Sequence, residues 1–149
     1  MNAAAIILAA GESRRMGRPK AFLPFRQGTF LSAIASVLGT HCSPVIAVFG
    51  FDAASGIARS QSLPLQAIAN TDYELGMLTS LQIGLRALPD HIDTVLFTLV
   101  DHPAIAPGTV EVLLQSGAPI AIPKFEGKRG HPVLIRHPII EEFLAEPAT

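Results

Sequence analysis

The chain has 149 residues, the length of one domain with room for a buried core. Hydrophobic residues make up 49% and charged residues 15%, which excludes an intrinsically disordered chain. A net charge of −1, from 11 Lys and Arg against 12 Asp and Glu, gives no overall basic field for nucleic acid and no basic tail for a membrane surface.

Residues 3–9 (AAAIILA) form a short continuous apolar run, the pattern of a strand at the centre of a parallel sheet. The run lacks a basic n-region and is too short to span a bilayer, so it reads as neither signal peptide nor membrane anchor. Gly11 ends it, and the polar stretch to Lys20 reads as a loop. Residues 29–38 have helical spacing with Gly39 as a stop. Residues 45–49 (VIAVF) read as a second buried strand, with Asp52 placed to cap the next helix. A third strand is expected over 65–69. A helix is expected over 77–88, with Gly76 at its start and Pro89 beyond its end.

Residues 94–100 (TVLFTLV) are the most strand-like run and end at Asp101. Residues 107–115 read as a helix with Pro in its first turn. Short strands over 120–123 and 132–135 flank a turn region at 127–130, and a last helix covers 138–144. Strands alternate with helices, which implies βαβ units: an α/β, Rossmann-like three-layer sandwich with a mostly parallel sheet. Ligands in such folds sit beyond the carboxyl ends of the strands. The Gly11 loop, Asp101 and the start of the Gly76 helix should therefore share one sheet edge. Cys42 is the only cysteine and can form no internal disulfide; a cytoplasmic location fits. His41 and Cys42 read as structural, His91 and His137 as surface residues.

The segment LAAGESRRMGRPK, residues 8–20, places Arg14, Arg15, Arg18 and Lys20 within seven residues, opposed nearby only by Glu12. Small residues let backbone N–H groups approach an anion, and the cations match a triphosphate. The spacing is neither a Walker A loop nor a dinucleotide fingerprint. On these residues alone, a solvated basic turn stays open beside phosphate binding. Asp101 closes an apolar run, where a carboxylate wants a partner or a metal, or caps a turn. Gly76 and Ser80 open a helix whose free N–H groups suit phosphate, and Thr79 and Ser80 equally suit ordinary first-turn positions.

The pattern LAAG-x-S-x-R-M-G-x-x-K resembles the signature of MobA-like nucleotidyltransferases. NTDYELGMLTSLQIGL (residues 70–85), VLFTLVDHP (95–103) and RGHPVLI (129–135) resemble further segments of that family, in its order. Within that family, the segments look most like those of the molybdenum cofactor cytidylyltransferases. The resemblance implies a nucleotide-diphospho-sugar transferase-like fold in a single domain, residues 1–149. It also implies a chemistry: transfer of CMP from CTP to a molybdopterin cofactor, with release of pyrophosphate and Mg²⁺ on Asp101.

By the same resemblance, Arg15, Lys20 and Asp101 are the expected catalytic groups. Leu8, Ala9, Ala10, Gly11, Glu12, Ser13, Arg14, Lys20, Asn70, Gly76 and Ser80 are the expected nucleotide contacts. His102, Gly130 and His131 are expected at the acceptor; His102 stands where close relatives often carry Gln. Ala9-Ala10 before Gly11 matches the cytidylyl type, whereas Gly-Gly is the GTP type, so CTP is expected and GTP is the alternative. A molybdenum hydroxylase or its maturation factor is the implied protein partner, with no nucleic acid and no membrane. Relatives continue into a further strand and an acidic Asp-x-Asp-type segment, so a chain ending at Thr149 is expected to be a truncated or short member. Two other readings stay open: transfer to a sugar or alcohol phosphate, and a non-catalytic nucleotide-binding accessory.

Overall fold

The computed structural model describes residues 2–11 and 19–147. Strand β1, Ala3–Ala9, is buried along almost its whole length. A 3-10 turn at Lys20–Phe22 leads into a small antiparallel hairpin, β2 Pro24–Phe25 and β3 Gly28–Thr29. Helix α1, Phe30–Gly39, starts at Thr29 because Thr29 and Ser32 exchange bonds: each side-chain oxygen accepts from the other's backbone N–H. Next come β4 Val45–Phe49, α2 Ala53–Arg59 and β5 Gln66–Ala69. A 3-10 turn at Tyr73–Leu75 precedes α3, Met77–Arg86. Then follow β6 Thr94–Leu99, α4 Pro107–Gln115, β7 Ile120–Ala121, the hairpin β8 Lys124–Phe125 with β9 Lys128–Arg129, β10 Val133–Arg136 and α5 Ile139–Ala145.

Six strands form one sheet in the order β5-β4-β1-β6-β10-β7. β5, β4, β1 and β6 run parallel, and β10 is antiparallel to both β6 and β7. Period-two alternation sorts the side chains of β1. Ala3, Ala5 and Ile7 pack with Leu31, Ile34, Ala35 and Leu38 of α1 and Val110 and Leu113 of α4. Ala4, Ile6 and Leu8 pack with Leu81 and Leu85 of α3 and Ile140 of α5. The result is the expected three-layer α/β/α sandwich. No helix among the described residues is long and apolar enough to cross a membrane.

One local expectation is corrected, and the sheet is mostly, not wholly, parallel. Asp52 stands at the start of α2, but its backbone is left-handed (φ 51°) and its side chain makes no capping bond there. The last strand is antiparallel. A parallel return to the sheet needs a crossover of a dozen or more residues, usually helical, and the stretch between β7 and β10 is spent on the β8–β9 hairpin.

The chain winds outward from β1 through β4 to β5, then returns to place β6 on the other side of β1. The strand order therefore reverses between β1 and β6, and the crevice at their carboxyl ends is where such folds take ligands.

Candidate active site

Backbone bonds hold the two sides of this crevice together. The Val100 N–H donates to the Leu8 carbonyl (3.0 Å), and the Phe51 N–H donates to the Ala10 carbonyl (3.2 Å). Gly50 fits beneath this junction: an added methyl would come 2.6 Å from the Ala10 carbonyl oxygen and 2.4 Å from Cβ of Tyr73. The start of the loop after β1 is thus fixed by neighbouring strand ends. Ala9 and Ala10 are half-buried, Gly11 is exposed, and the space a Gly11 side chain would fill is open. The Leu8 side chain is buried in the core, and its carbonyl is taken by Val100. Glu12, Ser13, Arg14, Arg15 and Arg18 lie outside the described residues.

Across the crevice, Lys20 Nζ lies 3.8 Å from Oδ2 of Asp101, with each side chain about two-fifths exposed (41% and 39%). Asp101 Oδ1 lies 3.6 Å from Nε2 of His102. The His102 ring in turn stacks on His131, centroids 4.7 Å apart and planes 17° from parallel. Four of the expected residues, from three separate parts of the sequence, therefore meet in one row: Lys20, Asp101, His102 and His131. The antiparallel entry of β10 beside β6 makes this possible, because it brings the amino end of β10 to the carboxyl end of β6. Burial holds the His131 imidazole below its ordinary pKa of 6.5; His102 pushes the same way and Asp101 opposes. Gly130 serves the frame, its N–H donating to the Pro123 carbonyl (2.8 Å) at the base of the β8–β9 hairpin.

Asn70, at the end of β5, is fully buried. Its amide donates to Oγ1 of Thr79 (2.9 Å) and Oγ of Ser80 (2.8 Å), and its Oδ1 accepts from the Asp72 N–H (2.9 Å). The Thr79 hydroxyl donates to the Gly76 carbonyl (2.7 Å). Gly76 itself has φ 112°, a region open to glycine and strained for other residues. The structure thus joins Asn70, Thr79 and Ser80 as a buried latch. The latch sets the glycine turn at the amino end of α3, at the same sheet edge. Neither Gly50 nor the latch function of Thr79 was anticipated; the legible signal for Gly50 was a glycine directly after a buried strand.

Among the described residues, no three His, Cys, Asp or Glu side chains gather as a metal group. Asp101 offers a single carboxylate. That donor set suits Mg²⁺, which takes one or two carboxylates and completes its shell with phosphate oxygens and water. It fits an ion that arrives with a triphosphate better than a resident one. A separate groove of about 600 Å³ opens at the opposite, amino edge of the sheet, lined by Cys42, Ser43, Pro44 and other uncharged residues. It contains no charged group.

Known proteins agree with this architecture. The MobA-like NTP transferase domain matches residues 5–148. The chain is 31% identical to the molybdenum cofactor cytidylyltransferase of Escherichia coli (strain K12), over 95% of this chain and 74% of that protein. It is 34% identical to a probable molybdenum cofactor guanylyltransferase of Mycobacterium tuberculosis (strain ATCC 25618 / H37Rv), over 80% of this chain and 61% of that protein. The chain thus spans about three-fifths of the mycobacterial relative's length. Among solved structures, Rv0371c of Mycobacterium tuberculosis H37Rv superposes with a TM-score of 0.85 at 27% identity, covering 97% of this chain and 76% of that one. With nearly every residue inside the family match, and the crevice where nucleotide-binding sheets place it, the chain belongs to the MobA-like NTP transferase family and is a nucleotidyltransferase in class.

Proposed function

We propose that the chain transfers a nucleotidyl group from a nucleoside triphosphate, CTP by preference, to the phosphate of a molybdopterin-type acceptor, with loss of pyrophosphate. The observation that carries this reading is the meeting of Lys20 and Asp101 at the reversal of strand order, 3.8 Å apart. A cation and a carboxylate side by side at that crevice serve the two needs of phosphoryl chemistry: charge for the phosphates and an oxygen ligand for their metal.

The reaction is an in-line displacement at the α-phosphorus. An acceptor phosphate oxygen forms the new P–O bond, and the bond to the β-phosphate breaks, its electrons leaving with pyrophosphate. That oxygen is already ionised near neutral pH, so the chain has no proton to remove. Its residues act by positioning and by charge. Lys20 and Arg15 neutralise the triphosphate and the departing pyrophosphate, and the turn at Gly76 offers backbone N–H groups to the nucleotide. Asp101 would hold Mg²⁺, which when bound would supply positive charge to the phosphate oxygens. A structure of Rv0371c as a complex with manganese supports a divalent ion in this fold.

CTP is favoured over GTP by the methyl groups of Ala9 and Ala10, which leave less room at the sheet edge than glycines would. The name of the Escherichia coli relative supports the same choice, and that of the mycobacterial relative supports GTP. The dinucleotide product would pass to a molybdenum hydroxylase or its maturation factor. Calorimetry of CTP, GTP and ATP, with and without Mg²⁺, on wild type and Asp101→Ala tests the reading. CTP binding that weakens without Mg²⁺ or Asp101 is the expected result. Tighter GTP binding would replace the base assignment, and no binding of any triphosphate would overturn the reading.

A further inference from the structure

The row of side chains in the crevice has two ends of different chemistry. Lys20 and Asp101 are ionic and lie beside the strand that feeds the phosphate loop. His102 lies just after β6, beside the other carboxylate oxygen of Asp101 from the one beside Lys20; His131 lies just before β10, and the two rings meet face to face and not edge to edge. A centroid distance of 4.7 Å with planes 17° apart is the geometry of offset ring stacking. Two imidazoles placed only to donate hydrogen bonds to a phosphate would have no need to overlap their faces. One face of His102 is covered by His131, yet 52% of the His102 side chain stays open. The half-exposed His102 stands beside the Asp101 carboxylate, 3.6 Å from its Oδ1.

We propose that the His102–His131 pair is a stacking platform for a planar heteroaromatic ring of the acceptor, and that it selects ring-bearing acceptors over sugar and alcohol phosphates. The proposal deepens the acceptor half of the function proposed above and rests on that reading. The platform gives the ring a flat partner at little entropic cost, since a histidine side chain has only two rotatable bonds and this one is already held by its neighbour. The polar part of the selection lies close by. Lys20, and the metal ion that Asp101 would hold, offer the cations for the acceptor's phosphate at the reacting end of the row. A sugar phosphate would find the cations but lose the stack.

The nucleotide base is also planar, so the test must separate the two rings. The probe is 6-hydroxymethylpterin, whose intrinsic fluorescence reports binding, titrated with wild type, His102→Phe, His102→Gln and His102→Ala in the presence of Mg²⁺ and saturating CTP. CTP affinity of each variant is measured by calorimetry in parallel, which also shows that each variant folds. Phe keeps a ring face without polar atoms, and Gln keeps hydrogen bonding without a ring. The expected result is pterin affinity within about threefold of wild type for Phe, a loss of about tenfold for Gln and Ala, and CTP affinity unchanged throughout. Loss in Phe with retention in Gln would overturn the platform in favour of a hydrogen bond. Loss of CTP affinity with pterin binding intact would assign the ring to the base and overturn it as well. A wild type that binds CTP but not the pterin would overturn the platform alone. A wild type that binds neither would overturn the nucleotidyl reading with it.

Discussion

The two edges of the central sheet are made by the same strands and treat polar groups in opposite ways. At the amino edge the chain closes on itself. Ala5 N–H donates to the Pro44 carbonyl, Ser43 N–H to the Ala3 carbonyl, and the N–H groups of Asp93 and Thr94 to the Asn2 carbonyl. The groove there is lined by uncharged residues. At the carboxyl edge, backbone bonds stop at Leu8 and Ala10, and the next groups, Gly11, Lys20, Asp101 and His102, are left open to solvent to a third or more. Every buried side-chain polar atom among the described residues has a partner. The carboxyl edge therefore keeps charged and ring side chains open to solvent where a ligand can meet them. A fold stabilises itself by satisfying its polar groups, and a site is where it refrains.

Substitutions sharpen this contrast, since the open edge should lose function without stability and the closed parts the reverse. Asp101→Asn should lower turnover about 10²–10³-fold, the scale of losing one charge-stabilising group in a transition state. Folding stability should move by about 1 kcal/mol or less, because the Lys20–Asp101 pair is exposed. Steady-state assays beside urea unfolding check both halves; a large stability loss would mean that Asp101 is a framework group. Asn70→Ala should behave in the opposite way. It removes two donors and an acceptor from a fully buried network, at a cost of about 2–4 kcal/mol read from the denaturation midpoint. Nucleotide affinity should weaken only as the Gly76 turn loosens. Unchanged stability with lost nucleotide binding would instead make Asn70 a direct contact.

The sequence showed most of what rests on local pattern. Apolar runs marked the parallel strands, because a strand covered on both faces must be apolar throughout, and the run before Asp101 placed that carboxylate at a strand end. The rule that ligands gather at carboxyl ends then predicted that Gly11 and Asp101 share an edge. Pairings between distant residues were illegible. Nothing in residue type distinguishes Asn70 as a ligand contact from Asn70 as a latch; burial decides its surroundings, and burial depends on the packed α3. The stacking of His102 on His131 depends on β10 entering antiparallel, which the short β7–β10 connection dictates only once the hairpin within it is known. The cap expected of Asp52 failed because its backbone turns left-handed before the helix begins.

Gly50 links the closed framework to the open edge, and its substitution should affect both more weakly. A methyl 2.6 Å from the Ala10 carbonyl oxygen must push backbone aside, since no flexible side-chain end stands there to yield. Gly50→Ala should cost about 1–3 kcal/mol of stability and also weaken CTP binding, as the phosphate loop's start shifts. Thermal unfolding and calorimetry on the same sample check this. A stability loss with CTP affinity intact would separate the β4 end from the loop and break the link.

The smallest expected effects are pH-dependent, and they have opposite signs at the two edges. Burial holds His131 neutral at the carboxyl edge by lowering its pKa from 6.5, and holds the Cys42 thiol neutral at the amino edge by raising it from 9.0 to about 11. For His131 the unfolded chain binds the proton more readily. The stability from keeping the ring neutral is present above pH 6.5 and lost as pH falls through the lower folded value. For Cys42 the unfolded chain ionises more readily, so the contribution is present below pH 9.0 and lost as pH rises towards 11. Urea unfolding of wild type, His131→Gln and Cys42→Ala across both windows isolates each arm. Wild type should lose stability relative to His131→Gln only on the acid side, and relative to Cys42→Ala only on the alkaline side. Saturating CTP and Mg²⁺ should leave the alkaline arm in place, because Cys42 lies at the edge opposite the proposed nucleotide site. If nucleotide binding altered the alkaline arm, the two edges would be coupled through the sheet and the division between them would not hold.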